Sequence, residues 1–265
     1  MELELVKKYH QELKIDGFSL KDNLLIIAGP CSIESEEQMM QVAKTLYENK
    51  IMFLRTATYK PRTSPYSFQG LGRDGFRIIK KIKERYPLKV VAEMVNTSDL
   101  DLYLEHVDII QIGARNMQNF EILKALGKTK KPVLLKRGFG NTIEEWLNAA
   151  EYLLVNGNDQ VILCERGIRT FEVMTRNTLD ISSIPIVKGI TKLPIIVDPS
   201  HASGRSDLVR PLSLAAIAAG ADGLMIEVHP NPDESISDKD QAIGFGEFTS
   251  LLDEITKIKT VLNKM

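Results

Sequence analysis

The sequence has little cysteine, and its two cysteines do not form a disulfide framework. Only Cys31 and Cys164 occur in 265 residues, and they lie far apart along the chain. Closely spaced, paired cysteines are typical of small secreted domains. We therefore expect free thiols and a reducing, cytoplasmic environment.

Long apolar runs and an excess of one charge are also missing. No run approaches the roughly 20 apolar residues that a membrane-spanning helix requires, and the charged start of the chain does not resemble a signal peptide. The 34 Lys and Arg against 35 Asp and Glu give a formal net charge of -1. This balance offers no general attraction to nucleic acid or to an anionic membrane, so we expect neither as a partner.

Eight short apolar segments rich in β-branched residues alternate with longer segments of helical periodicity. The strand candidates are 24–28, 51–55, 89–93, 108–112, 132–136, 160–164, 194–198 and 223–227. The helix candidates are 36–49, 73–85, 98–105, 118–126, 142–155, 175–182, 206–219 and 241–263. Apolar strands separated by helices indicate a parallel sheet covered by helices. Eight such units in about 240 residues predict a closed (β/α)8 barrel.

The domain organisation follows from the same pattern, since no low-complexity linker divides the chain. We expect one α/β domain, a (β/α)8 TIM barrel over residues 21–265, preceded by an extension of residues 1–20 at the barrel floor. The first strand leads into AGPCS and not into a G-x-G-x-x-G turn. A dinucleotide-binding sheet therefore loses its main support.

Every strand candidate is followed by polar or ionisable residues. In a barrel the C-terminal strand ends meet at one mouth, where active sites are built. The basic members of this group are Arg55, Lys60, Arg62, Arg115, Lys136 and Arg166. Any one of them alone would be interpreted as a surface charge. Together they predict a ligand with several negative charges, because arginine and lysine suit phosphate and carboxylate.

A second set of strand-end residues is suited to a divalent metal. Cys31, His201 and Glu227 follow three different strands, and the loop after the eighth strand offers a choice of carboxylates: Asp233, Glu234, Asp238 and Asp240. A lone cysteine is usually an inert small hydrophobe, which is our interpretation of Cys164. One thiolate, one imidazole and two carboxylates together suit Mn, Fe, Co or Zn. We expect Cys31, when no metal is bound, to lie exposed in the polar mouth.

Two glutamates and two further polar residues also follow strands. Glu93 and Glu165 are either acid–base groups or partners of the basic residues, and ion pairing is the preferred interpretation for Glu165. Asp198 and His229 are expected to orient ligands from behind the site.

Seven segments resemble 3-deoxy-D-arabino-heptulosonate 7-phosphate (DAHP) synthases of the short bacterial and archaeal type I subgroup. They are AGPCSIES, RTATYKPRTSPYSFQGLG, GARNMQNF, LLKRG, ILCERGIRTF, DPSHASGR and IEVHPNPDESISD. They occur in the family's order, cover residues 27–242, and as a set are highly specific. The family's fold is a (β/α)8 barrel, which agrees with the strand pattern.

The resemblance implies a transferase that joins phosphoenolpyruvate to D-erythrose 4-phosphate and water, with release of phosphate, at the start of the shikimate pathway to aromatic amino acids. It implies one divalent metal ion per subunit, and a homotetramer or a dimer. It also selects Asp238 among the loop carboxylates. The metal ligands that the resemblance implies are Cys31, His201, Glu227 and Asp238.

The resemblance also assigns substrate contacts. Positions similar to the phosphoenolpyruvate contacts are Arg55, Lys60, Ala114, Arg115, Lys136 and Arg166. Positions similar to the erythrose 4-phosphate contacts are Pro61, Arg62, Thr63, Ser64 and Asp238. Our mechanistic hypothesis makes Cys31 and His201 catalytic through the metal, which polarises the aldehyde oxygen. Lys60 donates a proton to the new hydroxyl, and Glu93 positions or activates water.

Three alternatives stay open. The related 3-deoxy-D-manno-octulosonate 8-phosphate synthases, which use arabinose 5-phosphate, typically read KANRSS where this chain reads KPRTS. One residue fewer and arginine in place of asparagine favour the four-carbon aldose. The others are a Schiff-base aldolase using Lys60 or Lys136, and a non-catalytic metabolite sensor. The short N-terminus lacks a ferredoxin-like or chorismate mutase extension, so we expect no regulatory domain, while a separate regulatory protein stays open.

Overall fold

Eight parallel strands close into a barrel in the computed structural model, which describes residues 3–60, 64 and 66–262. The order is β1 to β8, and β8 pairs back onto β1. The strands are β1 Leu25–Gly29, β2 Phe53–Thr56, β3 Lys89–Glu93, β4 Ile109–Ile112, β5 Val133–Lys136, β6 Val161–Glu165, β7 Ile195–Val197 and β8 Gly223–Glu227. The (β/α)8 barrel predicted from the sequence is confirmed.

Helices follow the strands on the outside of the barrel. They are α1 Glu36–Glu48, α2 Asp74–Arg85, α3 Leu100–His106, α4 Phe120–Gly127, α5 Ile143–Val155, α6 Ser183–Ile190, α7 Pro199–Ser203, α8 Ser206–Ala218 and α9 Phe245–Leu262. In the part of the chain that the structure describes, no helix has both the length and the apolar character needed to cross a bilayer.

The helix predicted over 175–182 is wrong. Its residues form a loop, and the helix of this unit begins only at Ser183. The backbone hydrogen bonds of the loop go to other parts of the chain: Ile168 and Thr178 exchange bonds at 2.9 Å, and the Arg176 amide donates to the Ser203 carbonyl. These distant partners replace the i to i−4 bonds of a helix. The loop is thereby folded against α7 at the mouth of the barrel.

The barrel interior is filled by side chains from the strands. Its buried cluster consists of Leu13, Ile15, Leu25, Ile27, Phe53, Val91, Ile109, Leu134, Ile162, Cys164, Ile196 and Met225. Leu13 and Ile15 come from the segment before β1, so that segment contributes to the interior itself. Cys164 lies in this cluster with no exposed surface, as predicted for a core thiol. Because successive strand residues face opposite sides, the alternate residues pack against the helices.

Helix α5 illustrates how local sequence signals fix an element against the barrel. Thr142 and Glu145 form a reciprocal capping box at its N-terminus, which satisfies two otherwise unpaired amide groups. On the inner face Trp146 is fully buried, and its indole nitrogen donates to the Leu135 carbonyl at 3.1 Å. This bond leaves the large ring buried without an unpaired polar atom.

Candidate metal and substrate site

The four predicted metal ligands meet at the C-terminal ends of the strands. Cys31 follows β1, His201 lies in α7 after β7, Glu227 ends β8, and Asp238 lies in the loop before α9. One ligand atom from each residue lies within 4.8 Å of all the others. The Cys31 sulfur lies 3.0 Å from an Asp238 oxygen and 3.8 Å from His201 Nε2. Residues separated by up to 207 positions therefore form one cluster.

His201 is presented to this cluster as a neutral ring. Burial lowers the pKa of His201 to about 4, although Asp198 acts in the opposite direction. Its Nδ1 atom lies 2.8 Å from an Asp198 oxygen, a close polar contact without hydrogen-bond alignment. The other Asp198 oxygen accepts the His201 amide at 2.9 Å. A carboxylate behind a ligating imidazole is the usual arrangement at metal sites, because it fixes the ring.

Cys31 is buried, with only 4% of its surface exposed, so the expectation of an exposed thiol is wrong. The covering groups are the Lys60 amine, the Asp238 carboxyl and the Arg55 guanidinium, all in contact with the sulfur. Burial and the nearby Glu227 carboxylate raise the pKa of the Cys31 thiol to about 12. A metal ion binds thiolate, so its binding must displace the thiol proton.

Glu227 points a buried oxygen into the cluster. Its Oε2 accepts a hydrogen bond from Gln241. Its Oε1 has no hydrogen-bond partner among the described residues and lies 3.4 Å from the Arg55 guanidinium. Metal–ligand bonds of about 2.0 to 2.3 Å put ligand atoms roughly 3 to 4 Å apart. The sulfur, imidazole and carboxylate set therefore fits a divalent first-row transition metal.

The loop that carries Asp238 is fixed to the loop after β1. The Glu34 carboxylate accepts from the Ile236 amide at 3.0 Å and from the Ser235 hydroxyl at 3.2 Å, and it lies 3.4 Å from His229 Nε2. Asp238 itself has φ +57 and ψ 33, a left-handed conformation that is uncommon for aspartate. These contacts hold Asp238 in that conformation beside Cys31.

A cavity of about 360 Å³ opens beside the cluster. Its volume lies in the range of small-molecule sites. It is lined by Arg55, Lys60, Ser64, Ser67, Glu93, Gln111, Gly113, Ala114, Arg115, Lys136, Phe139, Arg166, Arg176, His201 and Asp238. The structure thus brings together all six residues predicted to contact phosphoenolpyruvate. Ser64 lines the same cavity, whereas Pro61, Arg62 and Thr63 lie outside the described residues.

Three of the basic residues predicted for the cavity contact carboxylates. Lys136 lies 2.5 Å from Asp198, Lys60 lies 3.2 Å from Asp238, and Arg55 lies against Glu227. Burial opposes the ionisation of Asp198, but its interactions with His201 and with the Lys136 ammonium hold the pKa of Asp198 well below its usual range.

Arg115 and Arg166, the other two arginines predicted to contact phosphoenolpyruvate, differ from these three residues in their surroundings. In the part of the chain that is described, neither Arg115 nor Arg166 forms an ion pair with a carboxylate. Arg166 is buried and donates to the His201 carbonyl at 3.0 Å. A buried cation without a carboxylate favours an incoming anion.

Two glutamates at strand ends have different surroundings. The Glu165 carboxylate lies 3.1 Å from Arg137 and accepts the Gly167 amide at 2.7 Å, in agreement with an ion-pairing role. Glu93 instead lines the cavity and accepts from Gln111 at 3.1 Å. A Cβ atom at Gly113 would lie 2.0 Å from Glu93 Oε1, so this glycine makes room for the carboxylate.

Five residues of the site were not identified from the sequence: Ser67, Gln111, Phe139, Arg176 and Gln241. Gln111 lies one residue before the end of β4, and Phe139 lies in the loop after β5, so an extended strand-end rule could have found them. Arg176 lies in the stretch wrongly predicted as a helix, and it reaches within 3.6 Å of Asp238. Gln241 carries no sequence signal, because its contact with Glu227 depends on how the last loop folds.

Comparisons with known proteins find similar sequences and a similar structure. The model of the DAHP synthetase I family matches residues 12–264. A phospho-2-dehydro-3-deoxyheptonate aldolase of Thermotoga maritima is 54% identical over 237 residues, which cover 89% of this chain and 70% of that protein. A 2-dehydro-3-deoxyphosphooctonate aldolase of Desulfotalea psychrophila is 32% identical over 91% of both chains. The crystal structure of the Thermotoga maritima DAHP synthase superposes with a TM-score of 0.95 at 49% identity, over 98% of this chain and 78% of that one.

Proposed function

The chain belongs to the DAHP synthetase I family, and we propose that it condenses phosphoenolpyruvate with D-erythrose 4-phosphate and water to give DAHP and phosphate. The observation that carries this proposal is the cavity itself. It places six basic side chains, five of them predicted phosphoenolpyruvate contacts and the sixth Arg176, beside a four-residue metal-ligand cluster. Both substrates are phosphorylated anions, which such a density of positive charge attracts and orients.

The metal-binding role rests on Cys31, His201, Glu227 and Asp238, whose ligand atoms already converge. When bound, a divalent ion at this position would supply Lewis acidity to the aldehyde oxygen of the acceptor. The neutral imidazole of His201 favours its binding, as does the Glu227 oxygen that accepts no hydrogen bond among the described residues. The identity of the ion, whether Mn, Fe, Co or Zn, is left to experiment.

The basic residues bind and orient the substrates. Arg115, Arg166 and Lys136 come from three neighbouring strand ends and surround the position proposed for phosphoenolpyruvate. Fixing the enol carbon C3 against the aldehyde carbon turns a bimolecular reaction into a positioned one, which can lower the barrier by up to about 7 to 11 kcal/mol. Ala114 contributes through its backbone at the same wall.

Lys60 is the proposed proton donor to the hydroxyl formed from the aldehyde. It lies between Cys31 and Asp238 at the edge of the cavity. Burial alone would lower the pKa of Lys60, but the neighbouring Cys31 and Asp238 raise it above its usual value. Lys60 is therefore protonated at neutral pH, as a general acid must be before the reaction.

Glu93 is the proposed group that positions the water that adds at C2 of phosphoenolpyruvate. Its carboxylate lines the cavity, and the hydrogen bond from Gln111 fixes the orientation of the carboxylate. The water forms the C2–O bond, and the phosphate group then leaves with the electrons of its own C–O bond. Glu93 can accept the water proton as the bond forms.

The substrate alternative is arabinose 5-phosphate, because octulosonate aldolases are 30 to 32% identical to this chain over most of its length. The 54% identical deoxyheptonate aldolase favours the four-carbon aldose. Turnover with each aldose phosphate in parallel separates the two.

The decisive experiment measures phosphate release from phosphoenolpyruvate with each aldose phosphate, in metal-free protein and after addition of Mn²⁺, Fe²⁺, Co²⁺ or Zn²⁺. We expect release only with erythrose 4-phosphate and only with a metal. Full activity of stripped protein in chelator would contradict the metal role. Trapping of a substrate by borohydride would instead indicate a Schiff base on Lys60 or Lys136.

We further propose that the enzyme acts in the cytoplasm as a homotetramer or a dimer. The resemblance to the family supports this assembly, and light scattering of the purified protein at several concentrations measures it.

A further inference from the structure

Phe139 follows β5 at the wall of the cavity, and three arginines surround its ring. The guanidinium carbon of Arg166 lies 4.6 Å from the ring centroid, that of Arg169 5.2 Å and that of Arg115 5.4 Å. All three distances fall within the range of cation–π attraction, in which the negative face of the ring meets a cation. One neutral side chain thus contacts three positive charges.

The ring is placed between the two arginines that line the cavity. Arg115 lies in the 3-10 turn after β4 and Arg166 follows β6, while Phe139 follows β5, the strand between them. The Arg169 amide donates to the Phe139 carbonyl at 2.7 Å, which ties the loop after β5 to the loop after β6. The backbone of Phe139 is therefore held from the side opposite Arg115.

The two cavity arginines that contact the ring, Arg115 and Arg166, have no carboxylate in ion-pair contact among the described residues, in contrast to the other basic residues of the cavity. Lys136, Lys60 and Arg55 each lie against a carboxylate. A carboxylate would fix a guanidinium but would also neutralise it and compete with an incoming phosphate. An aromatic ring restrains the guanidinium group and leaves its charge and its N–H donors for the ligand.

We propose that Phe139 is a positioning residue for phosphoenolpyruvate. Its ring holds Arg115 and Arg166 in the orientation that receives the substrate, and this inference rests on the proposed function of the cavity. Burial supports the same conclusion, since Arg166 is 4% exposed and, within the described part of the chain, its guanidinium hydrogen bonds go to the backbone carbonyls of Gly167 and His201.

The test compares Phe139→Leu, which removes the ring, with Phe139→Tyr, which keeps it. Loss of the cation–π contacts with the two cavity arginines, Arg115 and Arg166, is expected to raise KM and the calorimetric Kd for phosphoenolpyruvate about 5- to 30-fold in Phe139→Leu. KM for erythrose 4-phosphate and kcat should stay within about twofold, and Phe139→Tyr should match the wild type. Phe120→Leu, the same substitution on the outer start of α4, is the matched control and should change none of these values.

A double-mutant cycle separates positioning from simple packing. In an Arg115→Met background, the effect of Phe139→Leu on the Kd for phosphoenolpyruvate should shrink to less than half, because one of its two targets is gone. Equal effects in both backgrounds would overturn the proposal. Phe139 is only partly buried, and Phe139→Met provides a second ring-free variant if the leucine variant folds poorly.

The outcome also separates this inference from the proposed function. A wild-type protein that neither binds phosphoenolpyruvate in the calorimeter nor releases phosphate from it would refute the function itself. Wild-type binding and turnover, with Phe139→Leu indistinguishable from wild type, would refute only the role of Phe139.

Discussion

At the scale of single residues, the site depends on side chains whose charge state is set by burial and by their neighbours. Burial keeps His201 neutral and Cys31 protonated, and the buried Arg166 forms no ion pair with a carboxylate among the described residues. Each would be unfavourable in an ordinary core, because buried polar groups need partners. Their presence together at the strand ends indicates that the missing partners are ligands.

The first prediction concerns Cys31. Cys31→Ala removes the sulfur from the ligand cluster, so it should abolish metal binding and lower activity by at least about 100-fold, since a metal Lewis acid contributes several kcal/mol. Cys31→Ser should bind metal more weakly than the wild type. Metal content after gel filtration and phosphate release are the measurements. Cys164→Ala is the control, and an alanine variant at 31 with stoichiometric metal would remove Cys31 from the ligand set.

A second prediction concerns Asp198, which contacts both His201 and Lys136. Asp198→Asn leaves Lys136 without its carboxylate and weakens the hold on the imidazole, so metal affinity should fall about 10- to 100-fold. Metal titration of stripped protein measures this. Glu254→Gln, which breaks a surface pair with Arg210, is the control. Unchanged affinity in Asp198→Asn would show that the ring needs no support from this carboxylate.

At the scale of elements, the strands determine where the site lies and the loops determine its details. Five of the site residues are the last or next-to-last residue of a strand or directly follow one, which is why the sequence pattern located them: Arg55, Glu93, Lys136, Arg166 and Glu227. The loop over 168–182 was wrongly predicted as partly helical, because its hydrogen bonds to α7 are invisible to local periodicity. Arg176 was missed for that reason, and the contacts of Phe139 and Gln241 depend on similar long-range folding.

The turn after β4 gives a third prediction. Gly113 has φ -68, which any residue tolerates, so only space requires glycine there. In Gly113→Ala the new methyl group would displace the Glu93 carboxylate. Activity should fall about 100-fold or more, since about 100-fold is the lower end of the usual contribution of a positioned general base, while the protein stays folded. Steady-state kinetics and circular dichroism measure the two quantities. Gly140→Ala, which meets no atom within 4 Å, is the matched control; equal activity of both variants would exclude the steric argument.

Helix α5 gives a fourth prediction, about stability. Thr142→Ala removes the hydroxyl that caps the helix, and it should lower the free energy of unfolding by about 1 kcal/mol without changing kcat. Urea denaturation is the measurement, with Thr142→Ser as the control that keeps the cap. A larger effect on activity than on stability would mean that α5 contributes to the site.

At the scale of the whole molecule, the fold could be predicted from the sequence because strand and helix segments alternate regularly along the chain. Eight apolar segments spaced by helices leave few architectures, and each strand begins or ends within two residues of its predicted boundary. The metal ligands needed more than the pattern: Asp238 could not be separated from three other carboxylates without the family resemblance. The physical reason is that its left-handed conformation and its contacts through Glu34 arise only in the folded chain.

A fifth prediction follows from the spread of the ligands over the molecule. An ion that binds only the folded barrel stabilises it by about 2.7 kcal/mol at 100 times its Kd, which for a chain of this size is a rise in Tm of roughly 5 to 10 °C. Differential scanning calorimetry with and without metal measures it. Cys31→Ala should show no rise, and an equal rise in that variant would place the stabilising ion elsewhere.

The pairing of β1 with β8 has a consequence for how the protein matures. Cys31 follows the first strand of the barrel, whereas Glu227 ends the last strand and Asp238 lies in the loop after it. A growing polypeptide on the ribosome cannot assemble the complete ligand set until the last strand and the loop after it have emerged and that strand has paired with the first. Metal capture should therefore be a late event in biogenesis, and a chain truncated before Gly223 should remain without the ion however much is supplied.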